Sequence, residues 1–134
     1  MDYSTECSCG KNKALVQLPQ AIEEYQAREC DCDFCVSYGL AYISDVKGTL
    51  SFSPRQTMHQ LNQGSGQATF WQCSNCKDIV AVTHRDNGEE RGSVVKTLLS
   101  KYTLQSSVKV SPKQLTSEAK PERWAMVWSK VVLE

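Results

Sequence analysis

No apolar run in the sequence approaches the roughly 20 residues that a membrane-spanning helix requires. The first six residues, Met1 to Glu6, are polar and acidic, unlike a basic segment that leads into a hydrophobic one. Membrane insertion and secretion are therefore not expected, which leaves the reducing cytoplasm as the expected compartment. Net charge is lacking too, because 15 Lys and Arg balance 15 Asp and Glu. Phosphate-driven affinity needs clustered positive charge, so no nucleic-acid partner is expected. Histidine is scarce: His59 and His84 are the two in the chain, and neither belongs to a ligand-spaced pair. The sequence also has no phosphate-binding glycine loop, no Ser/His/Asp arrangement, no internal repeat and no low-complexity tract. A length of 134 residues predicts one domain over 1–134, able to bury roughly two thirds of its unfolded surface.

What the chain does have is seven cysteines: Cys7, Cys9, Cys30, Cys32, Cys35, Cys73 and Cys76. Structural disulfides are rare in a reducing compartment, so the cysteines need another explanation. Their spacing reads C-x-C, then C-x-C-x-x-C, then C-x-x-C, and every cysteine lies within three positions of another. Metal coordination produces such spacings. A C-x-x-C turn brings two sulfurs to one ion, and a C-x-C pair does the same on a strand because residues i and i+2 share a face. Sulfur-rich tetrahedral sites are usually zinc, with an iron-sulfur cluster as the lesser alternative. A thioredoxin-like redox motif would need a strand before and a helix after C-x-x-C. Around Cys73 and Cys76 the flanking residues, Ala68 to Gln72 and Ile79 to Val82, both read as strands.

Two closed all-thiolate sites would need eight cysteines, and seven are present. If two ions bind, one site can be complete and the other keeps a position for water or substrate. The natural partition joins Cys7 and Cys9 to Cys73 and Cys76, and leaves Cys30, Cys32 and Cys35 as the open site. A ribbon-like pairing of Cys32 and Cys35 with Cys73 and Cys76, stranding Cys7, Cys9 and Cys30, is the alternative. His59 or His84 filling the vacancy would make the second site purely structural, although ordinary strand or surface positions account for both.

With Cys7-Ser8-Cys9-Gly10, Cys30-Asp31-Cys32-Asp33-Phe34-Cys35 and Phe70-Trp71-Gln72-Cys73-Ser74-Asn75-Cys76 in this order, the chain resembles the glutathione-dependent formaldehyde-activating enzyme family, which includes centromere protein V type proteins. The resemblance runs from about residue 4 to residue 85. It implies a mainly β fold, a β-tent of small antiparallel sheets pinned by zinc. It also implies a structural zinc on Cys7, Cys9, Cys73 and Cys76, and a catalytic zinc on Cys30, Cys32 and Cys35. The implied activity is that of a carbon-sulfur lyase of the S-hydroxymethylglutathione synthase type, with a small-molecule thiol and an aldehyde as partners.

The residue pattern agrees with a β fold. Lys13 to Leu18, Tyr25 to Cys30, Leu40 to Ile43 and Leu50 to Phe52 read as strands separated by turns. Met58 to Asn62 and Gln67 to Gln72 flank Gly64-Ser65-Gly66 as a hairpin, and Ile79 to Thr83 is a strand that ends at a loop over residues 85–88. Val94, Leu98, Leu99, Val108 and Val110 are ambiguous between helix and strand. Trp124, Val127, Trp128 and Val131 fall at helical spacing and Pro121 suits a first turn, which predicts a helix from Pro121 to Lys130. The expected domain thus has a core of about 4–110 and a C-terminal helical extension of about 111–134. The apolar stripe of that helix should pack on the sheet, with a partner or homodimer face as its other use.

Three thiolates leave a zinc ion that is a weak Lewis acid but attracts a soft fourth ligand, such as a substrate thiol. That thiol would add to formaldehyde or a related aldehyde. Asp31, Asp33 and His84 are the candidates for proton transfer, and Tyr38 is a weaker one. The rival reading is a noncatalytic zinc-stabilised protein-interaction module that uses the same ions for stability alone.

Overall fold

The computed structural model describes residues 1–30, 33–62, 67–86, 88–111, 115–116 and 118–132. The chain is mainly β with a C-terminal helix. Its strands are β1 (Asp2–Glu6), β2 (Lys13–Gln17), β3 (Gln26–Cys30), β4 (Ala41–Ile43), β5 (Thr49–Ser53), β6 (His59–Asn62), β7 (Thr69–Gln72), β8 (Ile79–Asp86), β9 (Glu89–Val95), β10 (Gln105–Val110) and β11 (Ser129–Val131). Among the described residues two α-helices accompany them, the short α1 (Asp33–Tyr38) and α2 (Ala119–Val127). Among the described residues no helix is long and apolar enough to cross a membrane.

Strand β9 organises the sheet. One of its edges carries β8, from Ala81 opposite Val94 to Asp86 opposite Glu89. The other edge carries β11 against Arg91 and Gly92, then β4 against Val94 and Val95. From β11 the sheet continues through β5 and β2 to β1, from β4 through β3 to β10, and from β8 through β7 to β6. Three branches therefore leave one strand, and the apolar faces they turn toward each other close on a common core. Phe52 of β5 meets Trp71 of β7 edge-on at 5.5 Å, although their strands belong to different branches. The Arg55 guanidinium lies 4.6 Å from the Phe52 ring centre and 4.3 Å from that of Trp71, and it holds Glu90 through two hydrogen bonds of 2.8 and 2.7 Å. A bidentate pair at this depth fixes the guanidinium plane on the two rings.

Gly92 sits where β8, β9 and β11 run side by side. A Cβ at this position would lie 2.6 Å from the Val82 carbonyl oxygen and 2.9 Å from Thr83 Cγ2, and the carbonyl belongs to a paired strand that cannot swing aside. Gly92→Ala is expected to lower stability by about 1–3 kcal/mol, the usual cost of forcing atoms into a filled site. Urea unfolding reads this, and an unchanged midpoint would contradict the packing described.

Three boundaries differ from the sequence expectation, each for a physical reason. Strand β8 does not stop at Thr83 but runs on to Asp86, with Arg85 opposite Glu90, so that two residues separate β8 from β9. Gly88, at φ 79°, takes the left-handed conformation that such a tight connection demands. The polar segment Asp2–Glu6, to which the sequence analysis assigns no element, is a strand whose alternate residues Tyr3 and Thr5 turn inward, and the Thr5 hydroxyl bonds the Leu98 carbonyl. The C-terminal helix covers Ala119–Val127 rather than extending to Lys130. The Trp128 N–H closes its last turn on Trp124 O at 2.8 Å, and Ser129–Val131 then pairs with both β5 and β9. Pairing on two edges satisfies more backbone groups than another helical turn would. The stripe packs inward: Trp124 and Trp128 are buried and stack at 4.7 Å with their planes 8° apart. The hairpin turn predicted at Gly64-Ser65-Gly66 lies outside the described residues, but its flanking strands β6 and β7 pair antiparallel.

Candidate metal centre

Two hairpin turns carry the outer cysteine pairs. Cys7 and Cys9 lie in the turn between β1 and β2, and Cys73 and Cys76 in the turn between β7 and β8. The turns follow one plan. The Cys7 N–H bonds Asn12 O at 3.0 Å, and the Cys73 N–H bonds Asp78 O at 2.9 Å, each closing a six-residue loop. Within the loops the Gly10 N–H bonds Cys7 O and the Lys77 N–H bonds Cys73 O, both at 3.0 Å. Backbone N–H groups of Asn12 and Asn75 point at the sulfurs of Cys7 and Cys73, each at 3.4 Å. Donors aimed at sulfur orient it as outer partners of a metal ligand do. Ser8 ties the turns together, donating to Asp78 Oδ2 from its N–H at 2.8 Å and its hydroxyl at 2.5 Å.

The four sulfurs all lie within 4.8 Å of one another, with Cys9 3.6 Å from both Cys7 and Cys73. A tetrahedral ion at about 2.3 Å from each sulfur would separate them by about 3.8 Å, so the group has the size of a closed four-sulfur site. Cys7 and Cys73 are buried, Cys76 is half-buried and Cys9 faces solvent. The group can hold a metal ion. Without one the thiols are unequal: a hydrogen bond from Asn75, aided by the Lys11 backbone, lowers Cys9 to about 6, whereas burial raises Cys76 to about 12.

The two turns differ at the residue that must bend left-handed. In the first turn it is Gly10 at φ 78°, and in the second it is Lys77 at φ 67°. A side chain in this region costs about 1–2 kcal/mol, partly offset by the backbone entropy that glycine would lose on folding. Lys77 also donates from Nζ to Ser74 O at 2.9 Å. Lys77→Gly is accordingly expected to stabilise the protein by about 0.5–1 kcal/mol. A thermal melt that moved downward would show that the lysine contact outweighs the strain.

Cys30 and Cys35 of the middle triplet lie outside this group. Cys30 ends β3, half-buried, and Cys35 sits in α1 at 1% exposure, while Cys32 and Asp31 lie outside the described residues. Cys35 Sγ is 3.1 Å from the Tyr42 hydroxyl. Phe34 packs on Phe70 at 4.5 Å and on Tyr38 at 4.8 Å, which anchors α1 over β7, and Gly39 at φ 65° releases the chain into β4. Val36 and Tyr38 remain exposed on the outer side of α1.

Of the proton-transfer candidates, His84 is held elsewhere. Its Nδ1 is 2.7 Å from Gln67 O, and since a carbonyl only accepts, that nitrogen carries the proton. Its ring lies 5.1 Å from Trp124. His59 is exposed on β6. Two residues that the sequence analysis did not single out stand near the triplet's described members, Tyr42 beside Cys35 and Arg28 two positions before Cys30. Tyr42 pairs with Arg28 across β3 and β4 and reaches Cys35. Arg28 donates from Nη2 to the Ser44 hydroxyl, and its pKa is lowered by burial and by the neighbouring Arg123 charge, against a smaller opposing effect of Asp45. No spacing signal marks either: Tyr42 reads as one more apolar strand residue and Arg28 as an ordinary surface charge.

Fold and site together define a mainly β protein in which four cysteines from two hairpin turns can hold a metal ion. No protein-family model matches the chain, and no curated protein does. Among solved structures it is similar to a Rhodobacter sphaeroides protein whose crystal structure was determined as a structural genomics target. The two share 25% sequence identity with a TM-score of 0.57, over 75% of this chain and 91% of that one.

Proposed function

We propose that the protein is a zinc enzyme that adds a small thiol, such as glutathione, to formaldehyde or a related aldehyde. In this reading Cys7, Cys9, Cys73 and Cys76 hold a structural zinc, and Cys30, Cys32 and Cys35 hold a second one. The observation that carries the reading is that, among the described residues, the four-sulfur group draws on the two outer motifs, so that the three cysteines of the C-x-C-x-x-C motif stand apart from it in the sequence as a second set of sulfur donors. The resemblance of all three cysteine motifs to the glutathione-dependent formaldehyde-activating enzymes supports it. Thiols that must stay reduced to bind metal also favour a cytoplasmic setting.

An ion in the triplet would supply a soft electrophilic position that keeps an incoming thiol ionised at neutral pH. The reaction needs no oxidant or reductant: one C–S bond forms, the carbonyl π pair moves to oxygen, and the thiol proton ends on that oxygen. The chain's own contribution is to hold and temper the donors. Tyr42, buried beside Cys35, can donate its hydroxyl proton to that sulfur and reduce the charge the thiolate carries. Phe34, next to Cys35 in sequence, packs on Phe70 and holds α1 in place.

The test is adduct formation from glutathione and formaldehyde, followed by NMR with the zinc-loaded protein and with Cys32→Ser. Faster approach to equilibrium with the wild type than with the variant is expected. Equal rates would favour the noncatalytic module, for which the exposed Val36 and Tyr38 of α1 offer a docking surface.

A further inference from the structure

Solvent reaches the four-sulfur group chiefly through one member. Cys7 and Cys73 are 3% and 1% exposed and Cys76 is half-buried, whereas Cys9 faces solvent between two small neighbours, Ser8 and Gly10. Thiols are oxidised according to their thiolate character and exposure, and metal ligation keeps a sulfur in the thiolate form. Cys9 is therefore the member that a small oxidant meets first. Its own partners are defined as well: Cys9 Sγ lies 3.6 Å from Cys73 Sγ in the other hairpin turn and 3.6 Å from Cys7 Sγ in its own.

The two partners are not equivalent. A bridge from Cys9 to Cys7 would close a ring over a single intervening residue, in a turn already fixed by the bonds from Cys7 N–H to Asn12 O and from Gly10 N–H to Cys7 O. Disulfides tolerate little departure from their preferred geometry, which disfavours so small a ring. A bridge to Cys73 joins two separate turns, each able to shift as a unit. Those turns are also held together independently of any ion, because Asp78 accepts two hydrogen bonds from Ser8, the residue before Cys9. Cys9 and Cys73 thus stay apposed while the bond forms.

We propose that Cys9 is a peroxide-reactive site at which the group exchanges its metal ion for a Cys9–Cys73 disulfide that keeps the two turns joined. This rests on the reading that these four cysteines hold a structural zinc, and not on the thiol and aldehyde chemistry assigned to the triplet. In the first step the Cys9 thiolate attacks hydrogen peroxide: an S–O bond forms, the O–O bond breaks and hydroxide leaves, giving a sulfenic acid. In the second the Cys73 thiolate attacks that sulfur, and the S–S bond forms as the S–O bond breaks and a second hydroxide leaves. Two thiolates have then lost two electrons, and the peroxide has gained them. Cys7 and Cys76 remain as donors, two where a closed site needs four, so the ion is released. The disulfide spans the same two turns, across 64 residues of sequence, and the oxidised chain keeps the cross-link that the ion supplied.

Treating the zinc-loaded protein with hydrogen peroxide beside a chromogenic zinc chelator tests this. One zinc ion is expected to leave the group for each Cys9–Cys73 bridge, with the bridge located by tandem mass spectrometry and Cys7 and Cys76 still open to iodoacetamide. The oxidised, metal-free protein should melt cooperatively, unlike reduced protein stripped by a chelator, and dithiothreitol with zinc should restore the starting state. Compared in a Cys30→Ser background, so that the triplet contributes no ion, Cys9→Ser should slow the release by about tenfold or more. Zinc retained after peroxide, a bridge between Cys7 and Cys9, or release from the Cys9→Ser protein at the unsubstituted rate would overturn the proposal. The bridge map needs no variant, so it decides the matter even where Cys9→Ser does not fold. Untreated protein that carries no zinc on the four cysteines would instead bring down the structural-zinc reading, and the exchange with it.

Discussion

Cys73→Ser is expected to abolish cooperative unfolding of the protein and to release the metal ion bound by its group. The cluster joins the β1–β2 turn to the β7–β8 turn, across 64 residues of sequence and on two different branches of the sheet. Nothing in strand pairing brings those turns together, since β1 and β7 meet only by following the sheet through β2, β5, β11, β9 and β8. A structural metal contributes about 10–16 kcal/mol of apparent binding energy, as large as the whole stability of an ordinary domain at about 5–15 kcal/mol. Core packing between the branches, chiefly Phe52 on Trp71, offsets only a fraction of this loss. Thermal melting with metal analysis reads the outcome, and a chelator should act on the wild type in the same direction. A variant that melted within about 1 kcal/mol of the wild type would mean that the sheet closes without the ion.

Trp124→Ala is the second large effect, at about 3–5 kcal/mol, with a fall in Tm on the order of 10 °C or more. Trp124 joins three parts of the structure at once. Its ring stacks on Trp128 and lies against His84 of β8, and its carbonyl accepts the hydrogen bond that ends α2. Removing the ring opens a cavity between helix and sheet and frees the segment that enters β11, the strand between β5 and β9. Metal content should not change, because the four clustered cysteines lie in the β1–β2 and β7–β8 turns and none belongs to α2 or β11. Trp124→Phe should recover part of the loss. A drop below about 1 kcal/mol would show that α2 is held by β11 pairing alone.

The cysteine pairs were legible because ligand spacing is local: each pair sits in one tight turn, and a turn constrains its own few residues whatever the rest of the chain does, whereas spacing left open which pairs come together. Strands with buried apolar residues on alternate positions, such as Ala14 and Val16 in β2, were legible for the same reason. What local pattern could not supply was partner choice. The segment Asp2–Glu6 is polar by composition and becomes a strand only because β2 offers an edge. Ser129–Val131 continues a helical spacing and leaves it because two strand edges outbid one more turn. The parallel pairings of β10 with β3 and of β11 with β5 have no sequence signal either, and the first sets Val110 opposite Cys30. Tyr42 and Arg28 acquire their interest only through a register between β3 and β4 that no spacing rule contains.

Native mass spectrometry of the protein purified with its metals tests the central claim most directly. Two ions per chain are predicted for the wild type, and one for a Cys30→Ser variant that still melts cooperatively because the cluster of Cys7, Cys9, Cys73 and Cys76 is intact. One ion in both proteins would contradict the account, since the triplet would then have no metal with which to receive a thiol.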